Sequence, residues 1–227
     1  MVDLKSSRDF WEEKAQENAP WYISSCRDYH NPDLTDFWTS GEKVWTLLKQ
    51  TIGYTPKPTD AVVDIGCGIG RLIRAISPEV GHVYGFDIAK QMLEKAKGLE
   101  LPNSTFLETE GNSLRPLQDN SCDLVLAYCV FQHLPSTDVL QQYLAEMVRV
   151  SRGMIAFTMS PYDWHVHLLP ILRLRSWLRE GDGPKGTYKR EWTGIRPRKS
   201  QILSLSPIKL QHTSLTPDKW LFFGAIR

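Results

Sequence analysis

Residues 61–160 alternate between short apolar runs and amphipathic segments, and this alternation restricts the fold more than any other feature of the chain. The apolar runs lack polar residues at every second position, which is typical of strands buried on both faces of a sheet. The segments between them carry apolar residues at helical spacing. Strands and helices that alternate in this way indicate a parallel, doubly wound α/β sheet with right-handed crossovers. The predicted strands are 61–65, 82–88, 104–107, 123–130 and 154–158, and the predicted helices are 71–76, 89–99 and 137–150.

The C-terminal part of the chain departs from this alternation. Residues 208–214 and 220–226 are two strand-like runs, and the Pro-Asp pair between them is typical of a turn. The sequence therefore predicts an α/β fold whose doubly wound, mostly parallel seven-stranded sheet ends in an antiparallel hairpin. A further helix is expected at 165–178, before a basic stretch at 185–199.

Charge is distributed unevenly along a chain that is nearly neutral as a whole. The 227 residues carry a formal net charge of +1, but residues 161–227 hold 12 Lys/Arg against 5 Asp/Glu. This basic region is either a solvated surface or a patch that attracts an anionic substrate, a lipid headgroup or a nucleic acid. Tryptophan is uneven too, since none of the eight lies between residues 46 and 163. The flanks thus differ from the middle of the chain in both charge and aromatic content.

The sequence offers no signal for secretion, membrane insertion or metal binding. Its first residues carry charges rather than an apolar segment, and the longest apolar run, 124–131, is too short to span a bilayer. The four cysteines form no CxxC pair and no Cys/His spacing for zinc, so no metal site is expected. Because these cysteines show no disulfide or metal-binding pattern, we expect the protein in the reducing cytoplasm.

A glycine-rich turn lies between the first predicted strand and the first predicted helix. Its glycines, Gly66, Gly68 and Gly70, let the backbone turn tightly and let a ligand approach the N-terminus of the helix. A nicotinamide-binding fingerprint would require another glycine where this chain has Arg71. Asp64 precedes the turn, and a carboxylate there would repel a pyrophosphate but can orient groups around a cationic amino acid.

An acidic residue, Asp87, ends the second predicted strand 19 residues after Gly68. A carboxylate at this strand end can accept hydrogen bonds from both hydroxyls of a ribose. Together with the glycine turn, it indicates a ligand that contains a nucleoside.

With these motifs, the sequence resembles the class I S-adenosylmethionine-dependent methyltransferases over roughly residues 60–160, and a terminal hairpin is a further feature that such proteins share. Asp64 and the glycine turn match the first motif of that family, and Asp87 matches its second. The resemblance implies a Rossmann-like fold, S-adenosyl-L-methionine as the cofactor and S-adenosyl-L-homocysteine (SAH) as its product.

The resemblance also implies further contacts to the cofactor. Residues 111–113 (Gly-Asn-Ser) stand where the family usually has Gly-Asp-Ala, whose acid binds the adenine amino group. The side-chain carbonyl of Asn112 can accept the same hydrogen bond. The fourth strand ends near Tyr128, which would face the methionine part of the cofactor. The implied cofactor site is Asp64, Gly66, Gly68, Asp87, Ile88, Asn112, Ser113 and Tyr128.

The length of the chain fits a single methyltransferase domain across residues 1–227. Within it, residues 9–15 have a helical pattern and resemble the start of a helical lid. The expected segments are an N-terminal helical lid (1–58), a cofactor-binding core (59–160), a substrate-side insertion (161–205) and the terminal hairpin (206–227).

The residues that bind and activate the methyl acceptor are less clearly marked. His133 follows the fourth strand and His165 the fifth, so each is a candidate general base as well as a candidate structural histidine. Trp21 and Tyr22 can either close over the acceptor or pack the N-terminal helix onto the sheet. Arg196 can hold a carboxylate or phosphate of the acceptor, or lie in a solvated loop.

We expect a cytoplasmic enzyme that transfers a methyl group by in-line displacement to a small or lipid-like acceptor, at oxygen. A nucleic acid is not the expected acceptor, because the fourth strand lacks the Asn-Pro-Pro-Tyr motif of amino-methylating enzymes. The alternatives are an RNA- or protein-directed methyltransferase that uses the basic 185–199 stretch and a non-catalytic partner that binds the cofactor. An NAD-linked oxidoreductase is disfavoured by Arg71 and Asp64. The sequence predicts no oligomeric state.

Overall fold

A seven-stranded sheet forms the centre of the structure, a computed structural model that describes residues 3–24, 28–160 and 194–226. The strands are β1 (Ala61–Ile65), β2 (His82–Asp87), β3 (Ser104–Glu108), β4 (Cys122–Ala127), β5 (Ser151–Met159), β6 (Gln211–Thr216) and β7 (Lys219–Ala225). Their order across the sheet is β3-β2-β1-β4-β5-β7-β6. The first five strands run parallel, whereas β7 pairs antiparallel with both β5 and β6. The predicted fold class is confirmed.

Helices lie on both sides of this sheet. They are α1 (Leu4–Ile23), α2 (Leu34–Ile52), α3 (Arg71–Ile76), α4 (Lys90–Lys97), α5 (Thr137–Val150) and α6 (Lys199–Leu205). None of the helices in the described ranges has the length and apolar character needed to cross a bilayer. The helix predicted at 165–178 lies outside the described residues.

The central strands bury both of their faces, which is why their sequences form continuous apolar runs. In β4, Leu124 and Leu126 belong to the core that α2 and α3 cover. Val125 and Ala127 alternate with them and belong to the opposite core, beneath α5 and α6. The sheet is therefore a layer between two helical layers, and the carboxyl ends of its parallel strands share one edge.

The fourth strand is shorter than the sequence predicts, because β4 ends at Ala127 rather than at residue 130. The chain leaves the sheet at Cys129, whose φ is +61° and whose N–H donates to Thr158 Oγ1 at 2.7 Å. The apolar pattern continues because the side chain of Val130 packs against the turn that follows β1. β2 likewise ends one residue earlier than predicted. Burial alone does not distinguish a strand from a packed loop.

The first strand of the hairpin, β6, lies at Gln211–Thr216 rather than at 208–214. Thr216 pairs with Lys219, so the turn itself consists of Pro217 and Asp218. The strand therefore extends closer to the turn than the polar character of its last residues suggests.

The N-terminal region contains more helix than the pattern at residues 9–15 indicates. α1 begins at a capping box formed by Asp3 and Ser6. α2 begins at Asp33, whose carboxylate accepts the N–H groups of Thr35 and Asp36 at 2.8 and 3.1 Å. These capping residues mark the helix starts, and they are the local signals from which the two helices could have been predicted.

A close contact between α2 and α3 depends on Gly41. A Cβ atom at this position would overlap the main-chain carbonyl oxygen of Arg71, the first residue of α3. Because Arg71 also lines the cavity described below, this contact fixes the position of a residue of the candidate site.

We predict that Gly41→Ala lowers the free energy of unfolding by about 1–3 kcal/mol, because the added methyl group must push α2 away from α3. Chemical denaturation of the purified chain measures the change. Glu42→Ala alters the next residue of the same helix, which is exposed, and should leave the stability almost unchanged. Equal stability of the Gly41→Ala variant and the wild type would contradict the close contact.

Candidate active site

A cavity of about 470 Å³ lies at the carboxyl ends of β1, β2, β4 and β5. This volume is within the range of about 300–1,000 Å³ that is typical of small-molecule sites. Open α/β sheets bind their ligands at this edge. The predicted site residues that line the cavity are Asp64, Gly66, Gly68, Asp87, Ile88, Tyr128, His133, Tyr22 and Arg196.

The glycine turn joins β1 to α3 and forms the floor of the cavity. Gly66, Gly68 and Gly70 all have positive φ values, of 66°, 55° and 86°, which a residue with a side chain rarely adopts. The turn is fixed to the neighbouring strand because the N–H of Cys67 donates to the carbonyl oxygen of Phe86 at 2.9 Å. Gly66, Cys67 and Gly68 line the cavity, so this part of the turn borders the space that a ligand can occupy.

The carboxylate of Asp87 links this turn to the start of α4. One of its oxygens accepts the N–H of Gly68 at 2.8 Å, and the other accepts the N–H of Ala89 at 2.9 Å. Burial raises the pKa of Asp87 to about 6, although both of these N–H groups and that of Ile88 act to lower it. Each carboxylate oxygen can accept about two hydrogen bonds, so both have capacity left for hydroxyl groups of a ligand.

Asp64 lies on the same wall, at the end of β1, with only 2% of its surface exposed. Within the part of the chain that the structure describes, its carboxyl group makes no hydrogen bond. Burial raises the pKa of Asp64 to about 8, with a smaller opposing effect from nearby Arg71. A buried carboxyl group without a hydrogen bond is costly, and a cationic ligand in the cavity would compensate it.

Arg71 is a site residue that the sequence reasoning did not assign. Its guanidinium group is buried, lies over the rings of Phe37 and Tyr128, and donates from Nη1 to Ser40 Oγ at 3.2 Å. The buried Nε of Arg71 has no hydrogen-bond partner among the described residues. Its position directly after the last glycine, where a nicotinamide site would need a glycine, was a signal that could have been used.

Asn112 and Ser113 lie next to the cavity without lining it. The amide of Asn112 donates to Gln142 Oε1 at 2.9 Å, and the hydroxyl of Ser113 donates to Glu146 Oε2 at 3.3 Å. The neighbouring residue that lines the cavity is Gly111. Both side chains bond to α5, and their role in binding adenine stays a prediction.

Helix α1 crosses the cavity and contacts the core at three points. The carboxylate of Glu12 accepts the N–H groups of Lys90 and Gln91 at 2.6 and 3.0 Å, and thereby caps α4. Arg8 Nη2 donates to the carbonyl oxygen of Thr109 at 3.3 Å. The ring of Trp11, a cavity residue that the sequence reasoning did not single out, meets the ring of His133 edge-on at 5.2 Å. These long-range contacts hold α1 over the site.

The two aromatic residues predicted to bind the acceptor differ in position. Tyr22 lines the cavity, and its hydroxyl donates to Glu17 Oε1 at 3.0 Å. Trp21 is buried and packs edge-on against the rings of Tyr22 and Tyr29 at 4.9 and 5.3 Å, away from the cavity lining. Trp21 thus supports the position of Tyr22 in α1.

The opposite wall of the cavity is formed by the turn after β4. His133 lies in a 3-10 turn, and its Nε2 is 3.3 Å from Nε2 of Gln132. Ser160 Oγ donates to Gln132 Oε1 at 2.9 Å, and Arg196 Nη1 donates to the carbonyl oxygen of Gln132 at 3.1 Å. The structure brings His133 and Arg196 together around Gln132. His165, the other candidate base, lies outside the described residues.

The class of protein follows from these features and from comparison with known proteins. Residues 63–157 match a family model described as "Methyltransferase domain", and the match covers the sheet edge with the glycine turn and Asp87. This part of the chain is similar to methyltransferases, the chain has the Rossmann-like fold of the class I S-adenosylmethionine-dependent enzymes, and the cofactor of those enzymes is S-adenosyl-L-methionine. The predicted resemblance and the predicted cofactor are confirmed.

Two curated relatives show how far the likeness extends. An uncharacterized methyltransferase of Mycobacteroides abscessus is 28% identical over 171 residues, which cover 68% of this chain and 60% of that protein. A ubiquinone biosynthesis O-methyltransferase of Idiomarina loihiensis is 23% identical over 150 residues, which cover 62% of this chain and 60% of that protein. Other matched proteins are named for methylation at nitrogen or carbon. The chain thus spans three fifths of the length of both relatives, and the acceptor differs among the matched proteins.

A solved structure supports the same fold. The magnesium protoporphyrin IX methyltransferase of Synechocystis PCC 6803, solved with bound SAH, superposes with a TM-score of 0.66 at 17% identity. The alignment covers 99% of this chain and all of that chain. At this identity the likeness concerns the fold alone.

We predict that Asp64→Asn makes the ligand-free chain more stable near pH 8. The folded chain holds the proton of Asp64 up to a pKa of about 8, whereas the unfolded chain loses it near the ordinary aspartate value. The stability that this proton gives is complete below the ordinary pKa and is lost as the pH rises through about 8. Asparagine removes this dependence.

Chemical denaturation across that pH range measures the effect. The wild type should lose stability as the pH rises, relative to Asp64→Asn. The control, Glu110→Gln, changes an exposed acid and should follow the wild type. If the stabilities of the wild type and Asp64→Asn respond to pH in the same way, the prediction is contradicted, because the pKa of the Asp64 carboxyl group is then not raised in the folded chain.

Proposed function

We propose that the chain transfers a methyl group from S-adenosyl-L-methionine to a small or lipid-like acceptor, at oxygen. The observation that carries this proposal is the arrangement of Asp87, Asp64 and Arg71 around one cavity. Asp87 retains acceptor capacity for two hydroxyl groups, and Arg71 offers a positive charge to a carboxylate. Asp64, whose pKa is about 8 in the ligand-free chain, would ionise beside the ammonium group of a zwitterion.

The cofactor fits these residues group by group. Its ribose hydroxyls would donate to Asp87, as the unused capacity of both carboxylate oxygens allows. The ammonium and the carboxylate of its methionine part would be compensated by Asp64 and by Arg71, whose Nε has no partner among the described residues. When bound, the cofactor supplies an electrophilic methyl group on a sulfonium whose leaving group is already activated.

The chain itself has to align the acceptor with this methyl group and to exclude water. Proximity and orientation can supply most of the acceleration of such a displacement. Helix α1 serves both purposes, since Glu12 and Arg8 hold it across the cavity while Trp11 and Tyr22 face the interior.

Methylation at oxygen is supported by the position of His133. A hydroxyl acceptor must lose a proton, so a base near the reacting atoms is useful. His133 is the one histidine among the described residues that lines the cavity. We propose His133 as the base.

We also propose the cytoplasm as the compartment. The free thiols of Cys67, Cys122 and Cys129 support this proposal, because thiols stay reduced there.

We predict that Asp87→Ala weakens the binding of SAH by about 10- to 100-fold, because hydrogen bonds to a charged group contribute about 1.5–3 kcal/mol. Isothermal titration calorimetry with SAH measures this. Glu108→Ala is the matched control, since Glu108 is an exposed acid that pairs with Asp87 in the adjacent strand. Unchanged affinity of Asp87→Ala would show that the cofactor binds elsewhere.

We predict that His133→Gln lowers the rate of methyl transfer by about 10²- to 10⁴-fold while SAH affinity stays the same, because only the proton transfer is lost. The substrate for this assay is found first. The chain is incubated with a cell extract and with cofactor that is labelled in its methyl group, and the labelled product is then identified. His212→Gln, at an exposed position on β6, is the control. A wild-type rate for His133→Gln would remove His133 as the base, and no labelled product at all would contradict catalysis.

A further inference from the structure

The side chain of Arg196 is partly buried and lines the cavity beside the turn after β4. Its Nη1 atom donates to two main-chain carbonyl oxygens, those of Gln132 at 3.1 Å and Ile195 at 3.2 Å. A guanidinium group has five N–H donors, and these two bonds use only the pair on Nη1. Over the described ranges, the N–H groups of Nη2 and Nε have no partner.

Arg196 also differs from the other cations of the same cavity in its charge balance. Arg71 lies near Asp64, and Lys219 forms an ion pair of 2.6 Å with Asp218. Arg196 has no carboxylate within ion-pair distance among the described residues. Loss of water around Arg196 lowers the pKa of its guanidinium group, and no acid in the described part of the chain opposes this effect. A desolvated charge of this kind is stabilised when an anion binds to it.

The guanidinium group is held in a fixed place relative to His133. Gly194 packs against the main chain of Gln132 and His133 so closely that a Cβ atom would overlap both. Ser160 fixes the Gln132 side chain from the other side through its hydrogen bond of 2.9 Å. A preorganised cation loses little conformational entropy on binding a ligand, so it selects its partner efficiently.

We propose that the methyl acceptor carries a carboxylate or a phosphate monoester, and that Arg196 binds this anionic group while the atom to be methylated lies near His133. The planar fork of an arginine matches the oxygens of either anion, so both share the same recognition chemistry. The proposal rests on the proposed function and adds the charge of the acceptor to it. Arg196 is then a residue that determines specificity rather than one that takes part in the chemical step.

The first test measures binding of defined probes to the chain saturated with SAH. Benzoate and phenyl phosphate are compared with their neutral counterparts benzamide and phenol by ligand-observed NMR. We expect at least one anion to bind about tenfold more tightly than its neutral counterpart, which corresponds to about 1.4 kcal/mol. If benzoate shows the larger preference over its neutral counterpart, the acceptor carries a carboxylate. If phenyl phosphate shows it, the acceptor carries a phosphate monoester.

Variants separate recognition from structure. Arg196→Met should abolish the preference for the anion, whereas Arg198→Met, which removes the same charge from an exposed position two residues away, should keep it. The preference is the ratio of the affinities for the anionic and the neutral probe, measured on the same variant. A general weakening of the fold would lower both affinities and leave this ratio unchanged. Equal binding of anionic and neutral probes, no binding of either anion, or a preference that survives Arg196→Met would overturn the proposal.

The second test uses the labelled product from a cell extract. We expect this product to bind an anion-exchange resin at neutral pH, and alkaline phosphatase to release it only if the anion is a phosphate monoester. A neutral or cationic product would refute an anionic acceptor. If the chain binds SAH but forms no product, the proposed catalysis is contradicted, and the probe measurements still decide the role of Arg196.

Discussion

The carboxylate of Asp87 is the interaction on which the rest of the site depends. It accepts one N–H from the glycine turn after β1 and one from the start of α4, so it connects two strand-to-helix turns. α4 is in turn capped by Glu12 of α1. The position of α1 over the cavity therefore depends on a chain of hydrogen bonds that begins at Asp87. A ligand that binds this carboxylate is connected through the same bonds to the helix that covers it.

Charged groups at the cavity differ from those that support the fold. On α5, away from the cavity, Arg149 donates hydrogen bonds to both Glu146 and Asp119, and the bond to Glu146 lowers the pKa of that carboxyl group to about 2. At the cavity, burial instead raises the pKa of Asp64 to about 8, since it outweighs the nearby charge of Arg71 and none of the described residues donates a hydrogen bond to this carboxyl group. Structural ion pairs are compensated within the chain, whereas the charges of a binding site remain available for a ligand.

The sequence was sufficient for the parts of the structure that local patterns encode. Continuous apolar runs predicted the parallel strands, and Asp64, the glycine turn and Asp87 predicted the cofactor edge of the sheet. Local patterns failed where a residue has a distant partner. Nothing near Glu12 indicates that it caps a helix 78 residues later, and nothing near Asn112 indicates that its amide bonds to α5. The early end of β4 was missed for the same reason, because packed loops and strands are equally apolar.

The two halves of the cavity are built in different ways, and this explains why the cofactor was easier to predict than the acceptor. The half that we propose for the cofactor consists of main-chain atoms of one short turn and carboxylates at neighbouring strand ends, so a compact motif defines it. The half that we propose for the acceptor joins Gln132, Ser160 and Arg196, of which Arg196 is far from Gln132 in the sequence. Their side chains can change without altering the sheet, so a fold that keeps one cofactor can accept different methyl acceptors. On the proposed function, the acceptor is therefore selected by the few side chains that the sheet brings together.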